Sequence, residues 1–213
     1  FGFVGFYLVR ALDQWDHTMQ TLALVVVAVV LALILAIPLG ILAARHKRFS
    51  AFIKPVLDFM QTMPSLAYLV PVIVLFGIGQ VPGAIATIIF ALPPGVRFTE
   101  LGLRQVDAET VEAGAAFGAS PRHILWRIQM PLAMPTIMAG VNQVIMLALS
   151  MVVLSGMVGA GGLGGDVVAA LSQVDIGLGM EAGLAVVIVA VYLDRITSGL
   201  AGRTSLERAR RAG

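Results

Sequence analysis

The chain has 213 residues, of which 59% are hydrophobic and 12% charged, and its mean hydropathy is +0.95. This composition excludes an ordinary soluble domain and makes membrane lipid the first expected partner. The balance of 14 Lys and Arg against 12 Asp and Glu is too small and too scattered for a nucleic-acid surface. Because the chain contains no Cys, disulfides, thiolate metal sites and thiol nucleophiles are excluded.

Charge-free stretches predict the membrane spans, since about 20 apolar helical residues cross the hydrocarbon layer. Five spans are expected, near residues 18–44, 65–78, 83–103, 135–155 and 179–197. Residues 1–17 are expected to be the tail of an upstream helix and an outer connection, because the first nine residues are too short to cross. Residues 18–200 form the expected transmembrane domain, and 201–213 a basic cytoplasmic tail.

The positions of Lys and Arg predict the orientation, because basic loops are retained in the cytoplasm. Basic residues follow the first, third and fifth spans: Arg45, Lys47, Arg48 and Lys54, then Arg104, Arg122 and Arg127, then Arg203, Arg208, Arg210 and Arg211. The connections 77–83 and 156–178 contain neither Lys nor Arg. We therefore expect those connections outside and the C-terminus in the cytoplasm.

The cytoplasmic loop 105–131 is densely patterned. Asp107 suits the N-cap of a first helix, and Gly118 suits the residue just past its end. Ser120 and Pro121 suit the cap and first position of a second helix. The pattern predicts two short helices joined at Gly118. They would form either a docking site for a partner or a hairpin resting on lipid headgroups.

A motif in this loop distinguishes the two interpretations. Glu112-Ala113-Gly114 is followed after three residues by Gly118, and after nine more by Ile128-Gln129-Met130-Pro131. This spacing resembles the EAA signature of permease subunits of ABC importers, with Gly114 and Met130 in place of Ala and Leu. The resemblance implies an all-α, polytopic type I importer permease whose loop is the coupling helix. The residues that it implies for ATPase coupling are Glu112, Ala113, Gly114, Ala116, Phe117, Gly118, Ser120, Pro121, Ile128 and Pro131.

The wider chain is similar to the glycine betaine and proline betaine permeases of osmoprotectant importers. The matching segments are 58–64 (DFMQTMP), 76–79 (FGIG), 89–94 (IFALPP), 142–151 and 193–195 (LDR). The resemblance implies a subunit in the prokaryotic inner membrane that imports compatible solutes and has no catalytic residues or cofactor of its own. The implied partners are ABC ATPase subunits that bind ATP and Mg²⁺, a second permease copy and an external substrate-binding protein.

Other residues leave alternatives open. Asn142, Gln143, Leu147 and Ser150 give the fourth span a polar side, and they serve either a pathway or helix packing, as does Tyr68. Residues 159–164 fit the spacing of a dinucleotide fingerprint but follow a membrane span, so nucleotide binding is not expected. The resemblance instead puts their glycines at an outer gate: Gly159, Gly161, Gly162 and Gly164.

The charged residues within the spans are few. Arg97 and Glu100 are three residues apart on one helical face, where three roles stay open: a structural ion pair, snorkelling toward the cytoplasmic surface, or the lining of a pathway. The three His residues fall on separate segments, which gives little support to a metal site. No phosphate-binding loop of the ATPase type occurs, so the energy source is expected in another chain. The rival interpretation is a self-sufficient secondary transporter or channel, which needs coupling-ion ligands at mid-membrane and commonly an inverted repeat.

The orientation can be tested by labelling single Cys residues in this Cys-free chain. Gln173→Cys is expected to react with an impermeant maleimide added outside cells, and Arg122→Cys is expected to react only after the membrane is opened. The opposite pattern would reverse the orientation.

Overall fold

A computed structural model describes the backbone of residues 2–211 and the side chains of residues 5–199, and within this part the chain is entirely helical. The expected all-α fold is thereby confirmed. Phe1 and the side chains of the basic tail lie outside the described part. The helices are α1 (Gly2–Ala11), α2 (Trp15–Arg45), α3 (Lys47–Thr62), α4 (Ser65–Phe76), α5 (Gln80–Arg104), α6 (Ala108–Ala116), α7 (Pro121–His123), α8 (Met130–Ser155), α9 (Gly162–Gln173) and α10 (Ile176–Arg211).

Four helical stretches are long and apolar enough to cross a membrane: Trp15–Arg45, Gln80–Arg104, Pro121–Val158 and Ile176–Gly199. The expected span at 65–78 is wrong as a single crossing. It is the helix α4, whose 12 residues extend about 18 Å. Helix α4 joins α3 at a bend of 97°, and by length and composition the two together fit either one broken span or a re-entrant loop. We term this pair of helices the broken span. The break falls at Met63, which is extended because Pro64 disfavours the helical conformation in the residue before it.

The second helix of the loop also differs from the prediction. It begins at Ser120 and Pro121 as expected, but it continues into the fourth span instead of ending as a short helix. A π-helical segment, Ile124–Gln129, connects α7 to α8, and the Met130 N–H bonds to the Leu125 carbonyl five residues back. This wider turn immediately precedes Pro131, which has no N–H to donate to a regular α-helical ladder.

Helix α5 lies between α2 and α8 and packs closely against both. Small residues make this possible. A Cβ on Gly95 would be 2.7 Å from the Ala36 Cβ, and one on Gly140 would be 2.4 Å from the Phe98 Cβ. Helices in lipid associate through such close approaches, because lipid supplies no hydrophobic force between them. The three helices therefore form the rigid centre of the bundle.

The far end of α8 meets the start of α9 in a second close contact. A Cβ on Gly156 would lie 2.1 Å from the Gly164 carbonyl carbon, so neither position has room for a side chain. Between them, Gly159, Gly161 and Gly162 have φ values of +77°, +74° and +62°, which favour glycine. The turn is thus fixed by its glycines.

The contact between α8 and α9 can be tested by adding one methyl group. Gly156→Ala is expected to destabilise the folded protein by about 1–3 kcal/mol, the usual range for overpacking. Gly165→Ala is the matched control, since a Cβ there meets nothing within 4 Å. Thermal unfolding in detergent measures both variants. Equal transition temperatures for the two would contradict the packing described here.

Candidate functional site

Residues 107–123, which we term the hairpin, carry most of the motif in the loop. Helix α6 begins at Asp107, whose Oδ1 accepts a hydrogen bond from the Glu109 N–H at 3.4 Å. The helix ends at Ala116 with Phe117 as its C-cap, and the next residue, Gly118, has a φ of +80°. The Gly118 N–H bonds to the Ala115 carbonyl at 2.9 Å, and the Ala119 N–H bonds to the Gly114 carbonyl at 3.1 Å. This is the Schellman arrangement, so the predicted helix end is confirmed.

The second half of the hairpin follows directly. The Ser120 Oγ accepts a hydrogen bond from the His123 N–H at 3.3 Å, and Pro121 occupies the first helical position. A Cβ on Gly114 would be 2.6 Å from the Ile128 Cδ1. The replacement of Ala by Gly at position 114 therefore makes room for Ile128, and the two ends of the motif are in contact across the turn.

The hairpin projects from the bundle. Helix α6 has no buried residue, and Phe117 at its end has 92% of its surface exposed. Glu112, Ala113 and Ala116 are exposed as well, whereas Pro131 is half-buried where the chain enters α8. Phe117 is thus a large apolar side chain fully presented at the tip of the hairpin.

An open cleft of about 320 Å³ separates the hairpin from the ends of α2 and α5. Arg45, Arg104 and Glu112 contribute charges to its lining. The Arg45 Nη2 donates to the Pro121 carbonyl at 3.4 Å, and the Arg104 Nη2 donates to the Ala43 carbonyl at 3.1 Å. Arg45 therefore ties the hairpin to the end of α2, and Arg104 ties α5 to the same end of α2.

A cluster of charges lies beside this cleft. Of the alternatives for Arg97 and Glu100, a pair between the two is not formed. Arg97 instead pairs with Asp58 of α3, and Glu100 pairs with Arg104 at 2.9 Å. A short sequence spacing identified the helix face, but the partner on α3 is 39 residues away in sequence and could not be found from spacing alone.

The polar side chains of α8 do not share one environment. Gln143 and Ser150 are exposed on the same face, seven residues apart. Asn142 turns toward α10 and donates to the Asp194 Oδ1 at 3.2 Å. Leu147 is half-buried and packs against the core. Gln143 and Ser150 are therefore on the outer surface of the subunit. Asn142 links α8 to α10.

Tyr68 is buried in α4. Its ring packs edge-on against Phe90 with centroids 5.5 Å apart, and its hydroxyl donates to the Met60 carbonyl in the last turn of α3. The Tyr68 side chain thus links α4 to the last turn of α3 across the bend. A pathway role for Tyr68 stays a prediction.

The end of the bundle opposite the hairpin contains a polar contact that the sequence did not indicate. His17 of α2 pairs with Asp166 of α9. The Thr21 Oγ1 accepts a hydrogen bond from the Leu163 N–H at 2.9 Å and donates one to the His17 carbonyl at 2.9 Å. The glycine turn at 159–164 is therefore fastened to α2.

The described residues thus form a bundle of apolar helices, four of them long enough to cross a membrane, with a hairpin that projects from one end. The chain belongs to the family described as the binding-protein-dependent transport system inner membrane component, whose model matches residues 36–205. It is thus a multi-pass inner-membrane protein of transport systems.

The chain is 50% identical over 208 residues to the glycine betaine/proline betaine transport system permease protein ProW of Escherichia coli, covering 98% of this chain and 58% of ProW. It is also 50% identical over 200 residues to the glycine betaine transport system permease protein OpuAB of Bacillus subtilis, covering 94% of this chain and 71% of OpuAB. The chain therefore spans little more than half of ProW.

A solved structure of the methionine ABC transporter MetNI, in an inward-facing conformation, has the same fold. The TM-score is 0.80 at 19% identity, and the match covers 87% of this chain and 93% of the MetNI chain. The likeness confirms the expected importer permease fold.

The different environments of Asn142 and Gln143 predict different effects of two substitutions. Asn142→Leu removes the partner of the half-buried Asp194 and is expected to lower stability by about 1–3 kcal/mol. Gln143→Leu removes no contact within the subunit and is expected to change solute uptake with little change in stability. Thermal unfolding and uptake, measured on both variants, test this. Equal loss of stability in the two would show that Gln143 is a packing residue.

Proposed function

We propose that this chain is the translocation subunit of an ATP-driven importer of compatible solutes, with glycine betaine or a related quaternary ammonium or zwitterionic osmolyte as the solute. The observation that carries the proposal is the projecting hairpin with its left-handed Gly118 and exposed Phe117. The 50% identity to ProW and OpuAB supports the choice of solute. These comparisons favour an importer subunit over a self-sufficient secondary transporter or channel.

The ATPase subunit is the proposed partner of the hairpin. Phe117 supplies an apolar anchor, and the cleft lined by Arg45, Arg104 and Glu112 supplies charges of both signs at its base. In this arrangement ATP and Mg²⁺ bind to the ATPase, and this chain contributes no catalytic group. Closure of the ATPases would move the hairpins, and hydrolysis would reset them.

A second copy of the chain and an external binding protein complete the proposed assembly. The exposed Gln143 and Ser150 would face the second copy across a shared pathway. The glycine turn at 159–164, fastened to α2 through Thr21, would form the outer gate on which the binding protein delivers solute. The hairpin end and the C-terminus lie in the cytoplasm in this orientation, as the basic residues favour.

The function is tested in proteoliposomes that contain the full-length protein, its ATPase and its binding protein. Radiolabelled glycine betaine is expected to accumulate only when ATP is present. Uptake by the permease without the ATPase would instead establish a secondary transporter or channel. Thermal stabilisation of the binding protein by a panel of betaines, choline and proline identifies the solute.

The role of the hairpin is tested at Gly118, where a Cβ would meet nothing within 4 Å. Gly118→Val therefore acts only through the backbone, since a β-branched residue is strained at positive φ by about 1–2 kcal/mol. It is expected to leave membrane insertion intact and to raise the ATP hydrolysed per solute imported.

Gly118→Asn is the matched control, because Asn tolerates the left-handed conformation. Glu112→Lys is expected to resemble Gly118→Val, since it reverses a charge at the interface. An unchanged ratio in Gly118→Val and Glu112→Lys, with full ATPase binding, would assign the hairpin to the lipid surface.

A further inference from the structure

Glu100 is a buried carboxylate near the hairpin end of α5, with 4% of its surface exposed. Its Oε1 accepts a hydrogen bond from the Ser50 Oγ at 2.6 Å and forms an ion pair with the Arg104 Nε at 2.9 Å. The Lys54 Nζ lies 3.8 Å from the same oxygen. Ser50 and Lys54 belong to α3, so this one carboxylate joins α3 to α5.

Arg104 extends the contact toward the hairpin. It lines both the cleft beneath the hairpin, together with Glu112, and a second cleft of about 280 Å³ that contains Lys54 and Glu100. Its Nη2 also donates to the Ala43 carbonyl at the end of α2. At the same end of α2, the Arg45 Nη2 donates to the Pro121 carbonyl of the hairpin. Polar contacts therefore lead from the hairpin to the end of α2, and from there through Arg104 and Glu100 to α3.

Helix α3 leads in turn to α4, the more apolar half of the broken span. It joins α4 at the 97° bend, and Tyr68 of α4 donates to the Met60 carbonyl of α3 across the break. A displacement of α3 along α5 would thus be passed to α4.

We infer that Glu100 is a positioning residue that transmits movement of the hairpin to the broken span formed by α3 and α4. The inference rests on the proposed function, because it requires an ATPase that moves the hairpin. Glu100 touches no solute in this role. It acts by holding α3 to Arg104, so that the broken span follows the hairpin.

The burial of Glu100 is what suits it to this role. The side chain of Glu100 is 5% exposed, whereas those of its partners Arg104 and Lys54 are 38% and 56% exposed. Separation from these partners would leave a buried carboxylate without a counter-charge, so the contact resists separation. The pair between Asp58 and Arg97 joins the same two helices, but its side chains are 62% and 38% exposed. Such pairs are screened by water and contribute little. The Asp58–Arg97 pair therefore serves as a control for simple adhesion between α3 and α5.

The test compares Glu100→Gln with Asp58→Asn in proteoliposomes of the assembled transporter. Gln keeps an oxygen for Ser50 but carries no charge for Arg104 and Lys54. Glu100→Gln is expected to lower the solute imported per ATP hydrolysed by roughly three- to tenfold, while ATP hydrolysis continues. Asp58→Asn is expected to keep the ratio of the unaltered protein.

The outcomes separate the two proposals. Absence of ATP-dependent uptake in the unaltered protein overturns the proposed function and this inference with it. Uptake in the unaltered protein, with an unchanged ratio in Glu100→Gln, overturns this inference alone, as does an equal fall in both variants. If the Glu100→Gln variant does not assemble into a transporter, the same ratio measured on the Ser50→Ala variant tests the inference. This substitution removes only the 2.6 Å hydrogen bond, and its ratio is expected to fall less far in the same direction; an unchanged ratio overturns the inference.

Discussion

The close packing of α5 between α2 and α8 is the constraint on which the rest of the structure depends. At Gly40 a Cβ would lie 2.5 Å from the Thr99 Cβ, and at Gly95 it would lie 2.7 Å from the Ala36 Cβ. Such distances leave no space for a side chain at either glycine, so the helices lie in close contact. Because the three helices form one body, every element attached to them is positioned by their ends. The hairpin and the broken span are both attached in this way.

The first connection between the hairpin and the three packed helices is the helical stretch that contains α8. The stretch from Pro121 to Val158 runs from the hairpin into the membrane without a break, and its π-helical segment precedes Pro131. A rigid helix carries a force from one end to the other, whereas a flexible loop would absorb it. The second connection passes through Arg104 and Glu100 to α3, as inferred above. Both connections would transmit movement from the same docking surface.

The sequence predicted the features that depend on local chemistry. Asp107, Gly118 and Ser120 cap or end helices through their own backbone and side-chain preferences, and the structure has them in those roles. The charge-free stretches of the sequence also predicted where the long membrane-spanning helices lie. The sequence failed where distant residues decide the outcome. The partner of Arg97 lies on α3, and that of His17 lies 149 residues away on α9, so no spacing rule identifies either. Composition alone made 65–78 a span, whereas the bend at Pro64 joins this short helix to α3.

The central claim is that the exposed tip of the hairpin docks onto an ATPase. Cross-linking from Phe117→Cys in the assembled transporter tests it most directly, because the chain has no other Cys and the tip of the hairpin is open to a partner. A cross-link to the ATPase subunit, with a yield that changes when ATP is added, is the predicted result. A site that reacts freely with soluble maleimide in the intact complex, and forms no cross-link with or without ATP, would contradict the account.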